Sequence, residues 1–131
     1  MWNTAQECPP ADTTVVNAAQ NSWDIPSQND WTEFEIMTWN LKAFPIAGEN
    51  TIDYVNEIII DLLPDVIAFQ EISNASDYNS LVAGLPAYSF IHSGSGLALA
   101  VRTDVVQIDN YSTLFPNNGY DLVWRYPLRA Q

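Results

Sequence analysis

Three consecutive segments constrain this chain most: an extended stretch, a helical stripe, and a second stretch that is apolar throughout. Phe34, Ile36 and Thr38, with Glu35 and Met37 between them, read as a strand that enters a core. The strand continues through Trp39, Asn40 and Leu41 and stops before Pro45. Gly48-Glu49-Asn50 is a break, and Asn50 or Thr51 is placed to cap the next helix. Ile52, Val55, Ile59, Leu62 and Leu63 then recur on one helical face, while Asp53, Glu57 and Asp61 fall elsewhere and meet water. Pro64 ends that helix, because it has no N–H to give and its ring clashes with the preceding turn. Asp65 opens Val66-Ile67-Ala68-Phe69, which lacks alternation, as expected of a strand buried on both faces. Strand, helix and strand at this spacing predict a layered α/β (α+β) fold.

The remainder is consistent with that class. A second helix is predicted between Asn74 and Leu85, with Tyr78, Leu81, Val82 and Leu85 inward and Pro86 as its stop. Tyr88 to Ile91 and Leu97 to Val101 read as two strands of a hairpin joined by the flexible turn His92-Ser93-Gly94-Ser95-Gly96. Arg102-Thr103-Asp104 makes a further turn, and Val105 to Ile108 continues extended. Tyr111 to Phe115 and Leu122 to Leu128 are the last predicted strands, separated by the turn Pro116-Asn117-Asn118-Gly119. Residues 1–30 differ: Pro9, Pro10, Pro26 and scattered Asn, Gln and Asp give no sustained period. They read as an N-terminal arm or linker that Trp2, Trp23 and Ile25 could pin to a surface, ahead of a single domain over residues 31–131.

Composition sets limits on function. Of 131 residues, 47% are hydrophobic and 15% charged, which is a folding composition. Four Lys plus Arg against sixteen Asp plus Glu give a formal charge of −12. That excludes a nucleic-acid module working through a basic face, and it argues against docking on an anionic membrane. Any grip on phosphate must come from a bound cation or a few placed arginines. Cys8 is alone and forms no internal disulfide. No apolar run approaches a membrane span, and the residues after Met1 resemble no signal peptide.

Two predicted strand ends carry polar groups that a core does not need: Asn40, and the pair Gln70-Glu71. Ligands in α/β folds gather at the carboxyl ends of strands. If the two strands are neighbours, Asn40 and Glu71 converge, and an amide oxygen with a carboxylate makes a hard donor pair suited to Mg²⁺. A lone Glu at a strand end also reads as a solvated surface residue. Other motifs carry less. Ser93-Gly94-Ser95-Gly96 lacks the context of a nucleophile elbow or a P-loop. His92 reads as a solvated loop residue, Cys8 has no His beside it, and Trp39 and Trp124 read as packing within strands.

Ile36-Met37-Thr38-Trp39-Asn40-Leu41 followed by Ile67-Ala68-Phe69-Gln70-Glu71-Ile72 resembles the start of the endonuclease/exonuclease/phosphatase family, the DNase I-like metal-dependent phosphoesterases. In that family a strand ends in Thr-aromatic-Asn, a helix crosses over, and a second strand ends in Gln-Glu. Gly96 to Asp104 resembles the family's Gly-flanked strand ending in a basic turn, and Arg125-Tyr126-Pro127 its Arg-x-Pro. The resemblance runs over residues 34–131. It implies the N-terminal half of a four-layer αββα sandwich with mixed β-sheets. It also implies hydrolysis of a phosphodiester or phosphomonoester, most readily in nucleic acid, by water attack assisted by Mg²⁺ or Mn²⁺. By position, Glu71 is implied as the metal ligand, with Asn40 beside the metal. Arg125 is implied either to approach the substrate phosphate or to form a structural ion pair.

Family members carry an Asp-x-Asn pair and a late Asp-His pair in a second half. Neither pair follows Arg125-Tyr126-Pro127 before Gln131. The chain as given is therefore expected to be a fragment with little activity alone, to leave a sheet face uncovered, and to pair with the missing C-terminal half. A different reading is a non-enzymatic acidic module that binds a protein or glycan partner. The polar, Asn/Thr-rich arm and low Lys content lean towards an exported bacterial protein.

Overall fold

The computed structural model describes residues 32–72, 74–122 and 124–131. The expected N-terminal arm, with Cys8, Trp2 and Trp23, lies outside them. Strand β1 (Ile36–Phe44) is followed by helix α1 (Glu49–Leu62), strand β2 (Val66–Ile72), helix α2 (Ala75–Ala83), and strands β3 (Tyr88–Ser93) and β4 (Leu97–Arg102). These strands form one mixed sheet in the order β1-β2-β4-β3. β1 lies parallel to β2, as a helical crossover requires, and β4 is antiparallel to both β2 and β3. Two short strands, β5 (Tyr111–Thr113) and β6 (Leu128–Ala130), pair as a separate antiparallel ribbon. The α/β (α+β) class and the mixed sheet are as the sequence led us to expect.

The core lies between the sheet and the two helices. Ile52, Val55 and Ile59 of α1 and Tyr78 and Leu81 of α2 pack with Ile67, Phe69, Ala98 and Ala100 of the sheet, with Met37, Trp39 and Phe90 at the margin. α1 ends where Leu63 turns left-handed ahead of Pro64, and its N–H caps the Ile59 carbonyl. α2 begins with a side-chain cap: Asn74 Oδ1 accepts from the Ser76 N–H at 2.8 Å. No such cap starts α1. Its N-cap is Gly48, and Thr51, inside the first turn, accepts from the Ala47 N–H instead.

Three further expectations are corrected. β2 is buried on one face only: Ile67 and Phe69 are sealed, whereas Val66, Ala68 and Gln70 on the opposite face are half-buried. That second face looks towards the β5–β6 ribbon across a cavity of about 360 Å³ lined by Ala68, Gln70, Leu97, Leu99, Leu128 and Ala130. Leu122 and Trp124 lie in turns and residues 125–127 in no strand, because the Trp124 N–H is taken by the Gly119 carbonyl and that of Arg125 by Leu122. Val105 to Ile108 is likewise not a strand.

A polar clasp closes the end of the sheet where β2 starts. Arg102 is buried and meets Asp65 at 3.4 Å and Asp104 at 3.0 Å, and its Nη1 donates to the Leu63 carbonyl. Asp65 in turn accepts from the Glu35 N–H at 2.8 Å. Buried charges cost several kcal/mol unless paired and hydrogen-bonded, and here both are. The hydrogen bonds from Arg102 also hold the Asp104 carboxyl below the usual carboxylate range.

Phe69 is 1% exposed at the centre of the core. Phe69→Ala is expected to destabilise the domain by about 3–5 kcal/mol, read as a lower urea midpoint. Ile36→Ser, at a position 69% exposed, is expected to stay within about 0.5 kcal/mol of wild type.

Candidate functional site

Parallel pairing puts the C-terminal ends of β1 and β2 side by side. Asn40 is opposite Gln70, yet the next pair in register is Phe44 with Ile72. Leu41, Lys42 and Ala43 therefore oppose Glu71 alone, and β1 bulges. Three non-glycine residues accept left-handed backbone to do this: Lys42 (φ 43°), Ala43 (φ 56°) and Glu71 (φ 63°). L side chains pay for that conformation in crowding, and strain of this kind concentrates at functional sites.

The bulge organises the Glu71 carboxylate. Asn40 Nδ2 donates to Glu71 Oε1 at 3.0 Å, and the Ala43 N–H donates to Oε2 at 3.2 Å. Asn40 is itself fixed, because its Oδ1 accepts from the Lys42 N–H at 2.8 Å. Donor and acceptor roles leave one consistent orientation of the amide, with its nitrogen facing the carboxylate. The Asn40 hydrogen bond holds the Glu71 carboxyl below the usual carboxylate range. The Ala43 amide and the charges of Arg125 and Lys42 act in the same direction, against the pull of desolvation.

Glu71 opens onto a cavity of about 390 Å³ shared with Ala43, Gly94, Ser95, Gly96, Trp124 and Arg125. The β3–β4 turn forms one wall. The Ile72 N–H donates to the Gly96 carbonyl, and Gly96 holds φ 81°, where a side chain would be strained. Ser95 Oγ reaches the Tyr126 carbonyl at 3.3 Å and so ties this turn to the segment bearing Trp124 and Arg125. Arg125 forms no salt bridge among the described residues, and it acts on Glu71 through space.

The structure thus brings Asn40, Glu71 and Arg125 to one rim. Gln70 is not at that rim: its Nε2 donates to Thr38 Oγ1 at 3.0 Å and to the Ala68 carbonyl at 2.9 Å, on the sheet face. His92 is corrected from a solvated loop residue to a half-buried member of β3. Its Nε2 bonds the Ile72 carbonyl, and its ring lies 5.1 Å from that of Tyr78. Trp124 is corrected from a packed strand residue to a turn residue 69% exposed. Sequence reading missed three contributors: the Ala43 and Lys42 amides, which are backbone groups without a sequence signal, and Ser95, whose Gly/Ser setting signalled only a turn. Among the described residues no group of three or more His, Cys, Asp or Glu side chains gathers, and no helix is long and apolar enough to cross a membrane.

Removing the Asn40 amide removes the largest influence on Glu71. Asn40→Ala is expected to raise the Glu71 carboxyl towards its ordinary value, followed by carboxyl-carbon NMR titration against wild type.

The comparisons with known proteins agree with this geometry at the level of the family. Residues 37–130 match the Endonuclease/Exonuclease/phosphatase family. No curated protein and no solved structure matches the chain significantly. The match spans most of the chain and takes in β1 through β6, both strand ends and Arg125, so the protein belongs to the endonuclease/exonuclease/phosphatase family, whose members are generally divalent-metal-dependent hydrolases of phosphate esters.

Proposed function

We propose that this chain contributes the Glu-bearing side of a Mg²⁺-dependent phosphodiesterase site, acting on nucleic acid. The observation that carries the reading is the Asn40–Glu71–Ala43 arrangement. The carboxylate is held in place, kept ionised, and aimed into a cavity that also receives an arginine.

The donor set fits the ion. Each Glu71 oxygen accepts one hydrogen bond, which leaves lone pairs on both for a ligand. Mg²⁺ keeps several waters and takes one or two carboxylates plus substrate phosphate, so a single organised Glu suits it and a closed protein cage is unnecessary. When bound, the cation would polarise a phosphoryl oxygen and offset the charge that grows as water adds to phosphorus and the ester P–O bond breaks. Glu71 would hold it. Asn40, beside it, orients the carboxylate and keeps its second carbonyl lone pair for the ion or the phosphate. Arg125, in no salt bridge among the described residues, is the group available to pair with a phosphate oxygen. In a chain of formal charge −12, these local positive charges do the work that a basic face would otherwise do.

Mn²⁺ titration followed by NMR tests the site without requiring turnover. The ion should broaden the Ala43 N–H and Asn40 side-chain signals selectively. Glu71→Gln should abolish the effect, and Asn40→Ala should weaken the ion's affinity by about 10–100-fold. Uniform broadening in wild type, or unchanged broadening in Glu71→Gln, would refute the assignment. Protons compete with the ion for the carboxylate. Binding should therefore be complete at neutral pH and fall away only as the pH drops through the depressed Glu71 value, below the usual carboxylate range.

A further inference from the structure

Among the described residues, Trp124 is the one aromatic side chain lining the Glu71 cavity, and its packing on Gly119 leaves most of it exposed. The residue is 69% exposed, in a turn that holds it firmly. Its N–H donates to the Gly119 carbonyl at 2.7 Å, and its backbone sits at φ 59°. One edge of the indole lies against Gly119, where a Cβ would collide with the ring and with the Tyr126 hydroxyl. The absence of a side chain at Gly119 thus lets the indole sit close to the turn. Ser95 anchors the same segment to the β3–β4 turn through the Tyr126 carbonyl. Phe115 and Tyr120, also exposed on this stretch, do not line the cavity.

A large planar ring held beside an arginine and a carboxylate resembles one half of a stacking site. Base–aromatic stacking is available to every base, but only to a base that has left its own stack. A duplex offers no such face. A duplex would also bring two rows of phosphates towards a chain carrying four Lys and Arg against sixteen Asp and Glu. A single sugar phosphate, by contrast, needs only Arg125 and what Glu71 holds. We propose that Trp124 is a stacking platform for an unpaired nucleobase whose sugar phosphate lies between Arg125 and Glu71. This makes the ligand a nucleotide or a single strand rather than a duplex. The inference rests on the phosphoesterase reading for the placement of the phosphate, but the stacking itself needs no metal.

The test compares adenosine 5′-monophosphate with ribose 5-phosphate on the intact protein, in EDTA and in Mg²⁺, by NMR. The Trp124 indole N–H signal is identified by its loss in Trp124→Phe. The nucleotide should shift that signal and bind about tenfold more tightly than the sugar phosphate. Trp124→Ala should bring the two affinities together without weakening the sugar phosphate, and Trp124→Phe should keep most of the gap. A single-stranded tetranucleotide that binds more tightly than the mononucleotide would identify the polymer as the ligand, and equal binding would identify the mononucleotide. An unmoved indole signal, or equal affinity for nucleotide and sugar phosphate in wild type, would overturn the proposal, as would a duplex that outcompetes the single strand. Glu71→Gln separates the two readings. It should remove the Mg²⁺ dependence of sugar-phosphate binding and leave the nucleotide advantage in EDTA intact. Mg²⁺ dependence that survives Glu71→Gln would count against the metal reading alone.

Discussion

The parallel pairing of β1 with β2 is the constraint from which the rest follows. Two strands joined by a helical crossover must run in the same direction, so their C-terminal ends share one side of the sheet. Asn40 and Glu71, 31 residues apart in sequence, are hydrogen-bonded for that reason. Had the connection been a hairpin, the amide and the carboxylate would sit at opposite ends. α1 is thus more than a layer of the core: by burying Ile52, Val55 and Ile59 against the sheet it fixes the crossover that makes the site.

The bulge in β1 then turns adjacency into organisation. A regular ladder would spend the Ala43 N–H on backbone pairing. Interrupting the register frees that N–H for Glu71 and turns the Lys42 N–H towards Asn40. Left-handed backbone at Lys42, Ala43 and Glu71 is the local cost, and the hydrogen bonds to the two side chains offset it. The result is a carboxylate whose charge is stabilised before any ligand arrives. Preorganisation of that kind favours the ionised over the protonated carboxyl.

Much of this was legible in the residues themselves. The helical period of Ile52, Val55 and Ile59, the stop at Pro64 and the run Val66 to Phe69 announced the crossover, and the polar strand ends marked where Asn40 and Glu71 meet. What stayed hidden was conformation that side chains do not encode. Nothing about Lys42 or Ala43 signals positive φ, so the bulge and its amides were invisible. Trp124 and Tyr126 are aromatic, β-favouring residues, yet backbone hydrogen bonds from Trp124 to Gly119 and from Arg125 to Leu122 keep this stretch out of a strand. Trp124 consequently faces solvent instead of a core. His92 misled in the opposite sense, because the Gly/Ser run after it suggested a loop, whereas β3 continues to Ser93 and carries the imidazole against Tyr78. The open face of β2 also could not be foreseen from an unbroken apolar run, which records hydrophobicity but not what covers each side.

The clasp of Arg102 with Asp65 and Asp104 sits where β2 begins, and Glu71 sits near where it ends. The strand therefore separates durability from reactivity along its own length. Selection, or an engineer, can retune one pole of the molecule, its heat tolerance or its appetite for ligands, while leaving the other as it was.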